Sequence, residues 1–134
     1  NILTIIIPRH IHRINKIYAN LKNLGLEVQI KEEVDDINNF ADVILVNTDW
    51  RGQVKDVERG FELLRPGGVL LTPEPLVPSS DVGDYPEGQP QNDAQMRVEV
   101  FNHWIRLIQG WSSEHAIGIV EVKGGSIVAI RRLN

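Results

Sequence analysis

The apolar positions change their period several times along the chain, and each change marks an element. Ile2–Ile7 reads I-L-T-I-I-I, an almost unbroken β-branched run that stops at Pro8. Runs of this kind belong to parallel strands covered on both faces. Ile11, Ile14, Ile17, Tyr18, Leu21 and Leu24 then recur three or four residues apart, which predicts an amphipathic helix with Gly25 in the C-terminal cap position. Leu26–Ile30 predicts a second strand, Lys31–Phe40 an acidic loop or short helix, and Ala41–Val46 a third, buried strand. A helix over roughly Val54–Leu64 follows, ended by Arg65-Pro66-Gly67-Gly68, and then a strand over Val69–Thr72. Pro73–Gln91 holds five of the chain's seven prolines together with Gly83 and Gly88, so it predicts an irregular loop. A loop that long in a small domain is expected to be a functional lid or a mobile segment. Helical spacing returns over Asp93–Gln109 through Met96, Val100, Trp104, Ile105 and Ile108. Ala116–Val122 and Ser126–Leu133 flank Lys123-Gly124-Gly125 as a β-hairpin.

Strands alternating with helices predict a mostly parallel sheet with right-handed crossovers, and the closing hairpin adds an antiparallel edge. The expectation is one domain over 1–134, an α/β three-layer Rossmann-like sandwich. Its 134 residues are the usual size for a single core.

Composition narrows the functions. The 42 % hydrophobic and 24 % charged residues suit a packed globular chain. With no cysteine, disulfides, zinc–thiolate sites and thiol nucleophiles are excluded, and a reducing, cytoplasmic setting is expected. A net charge of −4 argues against nonspecific nucleic-acid binding. No apolar run approaches the roughly 18 residues of a membrane span. The chain opens on Asn1 and not on methionine, as expected of a fragment, a processed chain or an engineered one.

Open α/β sheets bind ligands beyond the carboxyl ends of their strands. Four segments fall there: Pro8–Arg13, Lys31–Asp36, Asn47–Gly52 and Pro73–Asn92. Arg9, His10, His12 and Arg13 open the first helix, where free N–H groups and the helix dipole favour a phosphate or carboxylate. The alternative is a solvated basic helix start. No G-x-G-x-x-G is present, so close backbone approach to a pyrophosphate is not expected. Glu32 and Glu33 follow the second strand, where an acidic residue can hold ribose hydroxyls; the alternative is an acidic surface loop. Asn47-Thr48-Asp49-Trp50 offers polar side chains beside an aromatic plate for a planar ligand. Equally, Asn47 and Asp49 cap a turn and Trp50 packs on the sheet. The loop carboxylates Glu74, Asp81, Asp84 and Glu87 suit acid–base work or plain solvation. His103 and His115 stand alone and read as structural. No group of side chains has the spacing of a metal site.

Two resemblances lie on different parts of the chain. Residues 3–49, with L-T-I-I-I-P-R-H, L-G-L-E-V-Q-I and A-D-V-I-L-V-N-T, resemble the C-terminal Rossmann-like half of the Kdo transferases. That resemblance implies a nucleotide-sugar phosphate near Arg9 and His10. Residues 41–134, with D-V-I-L-V-N-T-D-W, F-E-L-L-R-P-G-G-V-L-L and the terminal hairpin, resemble the back half of class I S-adenosylmethionine-dependent methyltransferases. This one implies S-adenosylmethionine as cofactor, with Arg9, His10, His12, Glu32 and Trp50 on the cofactor and Asn47 and Asp49 at the methyl acceptor. Pro8–His12 stands where that family has its glycine-rich first loop, and 31–40 is too short for a further strand–helix unit. The two resemblances together are also what a recombined or engineered α/β domain without a ligand would show, with a junction near 47–54.

Overall fold

Strand β1 (Leu3–Pro8) is central because it is apolar on both sides, and a strand of that kind is stable only between two covered faces. The computed structural model describes residues 2–9, 15–76 and 93–134. In chain order β1 is followed by α1 (Asn15–Asn23), β2 (Glu27–Ile30), a 3₁₀ turn (Val34–Asp36), β3 (Ala41–Asn47), α2 (Trp50–Glu62), β4 (Leu64–Pro73), α3 (Asp93–Ser112), β5 (Ala116–Val122) and β6 (Gly125–Arg131). The six strands form one sheet in the order β2-β1-β3-β4-β6-β5. β2, β1, β3 and β4 run parallel; β6 pairs antiparallel with β4, and β5 pairs antiparallel with β6. This is the expected Rossmann-like architecture. Only the 3₁₀ turn separates β2 from β3, so β2 stays at the edge.

The period-2 alternation of β1 divides the core. Leu3, Ile5 and Ile7 join Ile44, Val46, Leu70, Val128 and Ile130 under α2 and α3, where Val54, Val57, Phe61 and Trp104 pack. Ile6 turns to the other face, against Val28, Tyr18 and Leu21. Helix α1 ends where the sequence puts its stop. Gly25 adopts φ +78°, its N–H donates to Lys22 O at 2.9 Å, and the Leu26 N–H donates to Leu21 O at 3.4 Å. That pair of bonds is a Schellman cap, which needs the left-handed glycine. Leu24 falls outside the buried stripe and is exposed, because it follows the helix. Ile11 and Ile14 lie outside the described residues.

Three boundaries differ from the sequence reading. Helix α2 begins at Trp50 and not at Val54, because Asp49 caps it: the Arg51 N–H donates to Asp49 Oδ1 at 3.1 Å. Arg65-Pro66-Gly67-Gly68 belongs to β4, as an irregularity where β3 advances from Ala41 to Val43 while β4 advances from Leu64 to Val69. This segment is tied down by Gly67 N–H to Arg132 O (2.6 Å) and Arg132 N–H to Gly68 O (2.9 Å). Helix α3 runs to Ser112 and turns Ile105 to the surface while Leu107, Ile108 and Trp111 pack inward. Of the proline-rich loop, residues 77–92 lie outside the described residues. Among the described residues no helix is long and apolar enough to cross a membrane.

Among the described glycines, Gly68 leaves the least room for a side chain. A Cβ there would stand 2.8 Å from Arg65 O and 2.9 Å from Asp42 O, both main-chain atoms that cannot swing aside. Gly68→Ala is therefore expected to destabilise the domain by about 1–3 kcal/mol, the usual cost of overpacking. A lower urea midpoint checks this; an unchanged midpoint contradicts the packing.

Candidate functional site at the carboxyl rim

The parallel pairing of β1 with β3 runs from Thr4↔Val43 to Pro8↔Asn47, so the two strands end level with each other. Arg9 and the turn after Asn47, just beyond them, meet at one rim. Arg9 follows β1, and its Nη2 lies 3.4 Å from Asp49 Oδ2 in the turn after β3. Asp49 Oδ1 also lies 3.4 Å from Arg51 Nη1, and Arg51 Nη2 lies 3.3 Å from Asp93 Oδ2 at the start of α3. Trp50 underlies this cluster, with the Arg51 and Arg97 guanidinium carbons 4.5 and 4.3 Å from its ring centroid. Three guanidinium groups and two carboxylates thus bridge β1, β3, α2 and α3.

Buried bonds fix the scaffold underneath. Thr48 donates its hydroxyl to Asp56 Oδ2 at 2.8 Å, closing the first turns of α2 onto the β3 loop. The buried Gln53 donates from Nε2 to Thr72 Oγ1 (2.9 Å) and to Pro73 O (2.6 Å), which ties α2 to the end of β4. A polar residue inside the apolar stripe of a helix needs such partners to offset its burial.

The Asp49 carboxyl is held below its ordinary value of 3.8. The Arg51 backbone N–H is the largest cause; burial pushes the other way, and the Arg51 and Arg9 charges add to the lowering. Asp49 is consequently an anion at neutral pH and a weak proton acceptor, suited to holding cations and donors.

The expected site residues divide as follows. Arg9, Asn47, Asp49 and Trp50 come together, with Asn47 exposed at the end of β3. Glu32 lies just past β2 on the far side of β1, exposed, two residues beyond Ile30, which pairs with Ile6. His10 and His12 lie outside the described residues, as do Asp81, Asp84 and Glu87. Trp50 is not a bare plate: a planar ligand stacking on it meets Arg51 and Arg97 first. His103 and His115 each make contacts between elements. His103 Nε2 pairs with Glu58 Oε1 across α2 and α3. The His115 ring packs edge-on against Phe61 while its Nδ1 accepts from the Leu133 N–H at 3.2 Å. An open depression lined by Glu99, Val100, Asn102, His103 and Arg106 lies on the side of α3, away from the strand ends.

Sequence reasoning missed Arg51, Gln53, Asp93 and Arg97. Gln53 carried a signal, a lone amide on the apolar stripe of α2; Arg97 carried none, because its partner is 47 positions away.

Comparison with solved structures follows from this geometry. The O-methyltransferase from Bacillus cereus in complex with SAH superposes with a TM-score of 0.57 at 14 % identity, covering 97 % of this chain and 74 % of that one. A candidate caffeoyl-CoA O-methyltransferase from Staphylococcus aureus gives 0.56 at 16 % identity, covering 97 % and 76 %. The chain has the fold of these O-methyltransferases. A protein from Corynebacterium glutamicum gives 0.57 at 14 % identity over the whole of this chain, which spans 62 % of that protein's length. No family model and no curated protein matches the sequence. The methyltransferase fold accounts for the mixed sheet ending in an antiparallel pair.

Asp49 makes the rim's pH response testable. Its lowered value means that its contribution to stability is complete above the unfolded-state value and is lost as pH falls through the folded-state one. Asp49→Asn keeps a capping side chain and removes the charge; Asp49→Ala removes both and is expected to cost about 0.5–2 kcal/mol at neutral pH. The wild-type advantage in Tm over Asp49→Asn should shrink from about pH 5 downward. A difference that persists unchanged to pH 3 contradicts the assignment.

Proposed function

We propose that the chain is a methyltransferase-like domain that binds S-adenosylmethionine at the rim shared by β1, β2 and β3. The observation that carries this reading is the level ending of β1 and β3, which brings Arg9 beside Asn47 and Asp49. The donor set fits the cofactor's functional groups. Glu32 offers a carboxylate to the ribose hydroxyls, as acidic residues do after the second strand of dinucleotide-type sheets. Arg9 offers a guanidinium to a carboxylate, and its side chain is half exposed while paired with Asp49. His10 and His12 complete the cofactor side in this reading, and Trp50 borders it.

When bound, the cofactor supplies an activated methyl group for in-line transfer. The chain's own part is positional. Asn47 presents an amide able to donate and accept hydrogen bonds toward the acceptor. Asp49 stays charged, holds Arg9 and Arg51 in place, and provides negative potential beside the transfer path.

Thermal unfolding with S-adenosylhomocysteine and, separately, cytidine monophosphate tests the reading. A ligand at 100 times its dissociation constant stabilises by about 2.7 kcal/mol, which raises Tm by roughly 10 °C in a domain of this size. A rise with S-adenosylhomocysteine alone is expected, with Glu32→Ala reducing affinity about tenfold and leaving the ligand-free Tm unchanged. A rise only with cytidine monophosphate would favour the sugar-nucleotide resemblance. No rise with either, up to millimolar ligand, would make the fold a scaffold without this site.

A further inference from the structure

We propose that β5 is the contact strand of a homodimer, pairing antiparallel with the β5 of a second copy. Among the described residues β5 ends the sheet, with β6 on one side and no strand on the other. An edge strand exposes a row of main-chain donors and acceptors, and proteins that stay monomeric blunt such edges with proline, bulges, inward charges or short length. β5 has none of these. It is seven residues long, its ladder with β6 is continuous from Ala116↔Arg131 to Val122↔Gly125, and Glu121 is its one charge. Its apolar side chains are open on both faces of the sheet: Ile119 is 59 % exposed on one, and Val120 and Val122 are 58 % and 46 % exposed on the other. The opposite edge, β2, has four residues and carries the exposed Glu27.

The strand is complementary to itself. Ala116 and Gly118 are small, while Val120 and Val122, on the same face, are branched. An antiparallel copy with its two-fold axis at Ile119 sets Ala116 against Val122 and Gly118 against Val120, small against large. On the other face Ile119 meets Ile119, and Ile117 meets Glu121. The two Glu121 carboxylates are then four residues apart along the strands, about 14 Å, beyond the roughly 10 Å Debye length at 0.1 M salt. Charge therefore does not oppose this register, although each chain carries −4. A two-fold contact of this kind is closed, because each copy uses the same strand.

The area sets the strength. Seven residues give an edge about 24 Å long on a layer about 10 Å thick, on the order of 500 Å² over both partners. That is small for a protein interface and belongs with weak, transient contacts. The dimer is accordingly weak and concentration-dependent.

Sedimentation velocity from 10 μM to 1 mM reads this directly. Wild type is expected to shift from monomer to dimer across the range. Val120→Lys sets two lysines diagonally across the strand pair, about 8 Å apart at the backbone, and is expected to weaken dimerisation at least tenfold, with an unchanged circular dichroism spectrum because the site is exposed. The chain has no cysteine, so single-cysteine variants report the register. Ile119→Cys pairs with itself at about 4.5–5.5 Å between Cα atoms, within disulfide reach, and is expected to cross-link at least ten times faster than Val122→Cys or the exposed Leu24→Cys. A monomer throughout the range overturns the proposal. So does a dimer indifferent to Val120→Lys, or cross-linking equal at all three positions.

Discussion

The parallel pairing of β1 with β3 is the constraint on which the molecule's chemistry depends. β1 pairs with its sequence neighbour β2 on one side and with β3, some forty residues later, on the other. The level register from Thr4↔Val43 to Pro8↔Asn47 is enforced by burial. A one-residue slip would turn Ile44 and Val46 out of the α2–α3 core and drive Leu45 into it. Held in that register, the strands must release Arg9 and Asn47 at the same height. The main chain also fastens the opposite end, where the Leu3 N–H donates to Asp42 Oδ2 at 2.9 Å and Arg65 Nη1 reaches the same oxygen at 2.7 Å.

What gathers at the rim is an electrostatic arrangement whose parts depend on one another. Asp49 caps α2, and that task orients its carboxylate toward Arg51 and leaves its second oxygen for Arg9. Exposed ion pairs contribute only about 0.2–1 kcal/mol each, so the cluster is not what stabilises the fold. Its consequence is positional: side chains from four elements are kept at one rim. The same cap that starts the helix favours the charged form of Asp49.

Much of the fold was legible in the sequence because burial writes itself into periodicity. The unbroken run of β1, the Gly25 cap and the Lys123-Gly124-Gly125 hairpin are local signals with local causes. The start of α2 was misjudged because Trp50-Arg51-Gly52-Gln53 contains few apolar residues; the capping carboxylate of Asp49 decides it. Arg65-Pro66-Gly67-Gly68 reads as a stop signal on its own, yet bonds to Arg132, more than sixty residues away, draw it into β4. The rim was anticipated from the rule that ligands bind past strand ends, which brought Arg9, Asn47 and Asp49 into view. Arg51, Arg97 and Asp93 were not, because cation–π and ion-pair partners between α2 and α3 leave no periodic trace.

In the proposed reading the ends of β1, β2 and β3 form a single ligand site. Amide NMR of the chain during addition of S-adenosylhomocysteine tests its location most directly. The expected result is saturable shifts concentrated at Arg9, Lys31–Glu33 and Asn47–Arg51, with the β5–β6 hairpin and the outer side of α3 unmoved. Saturable shifts centred on the hairpin or on Glu99–Arg106 would contradict the account, since ligand would then bind where β1 and β3 play no part.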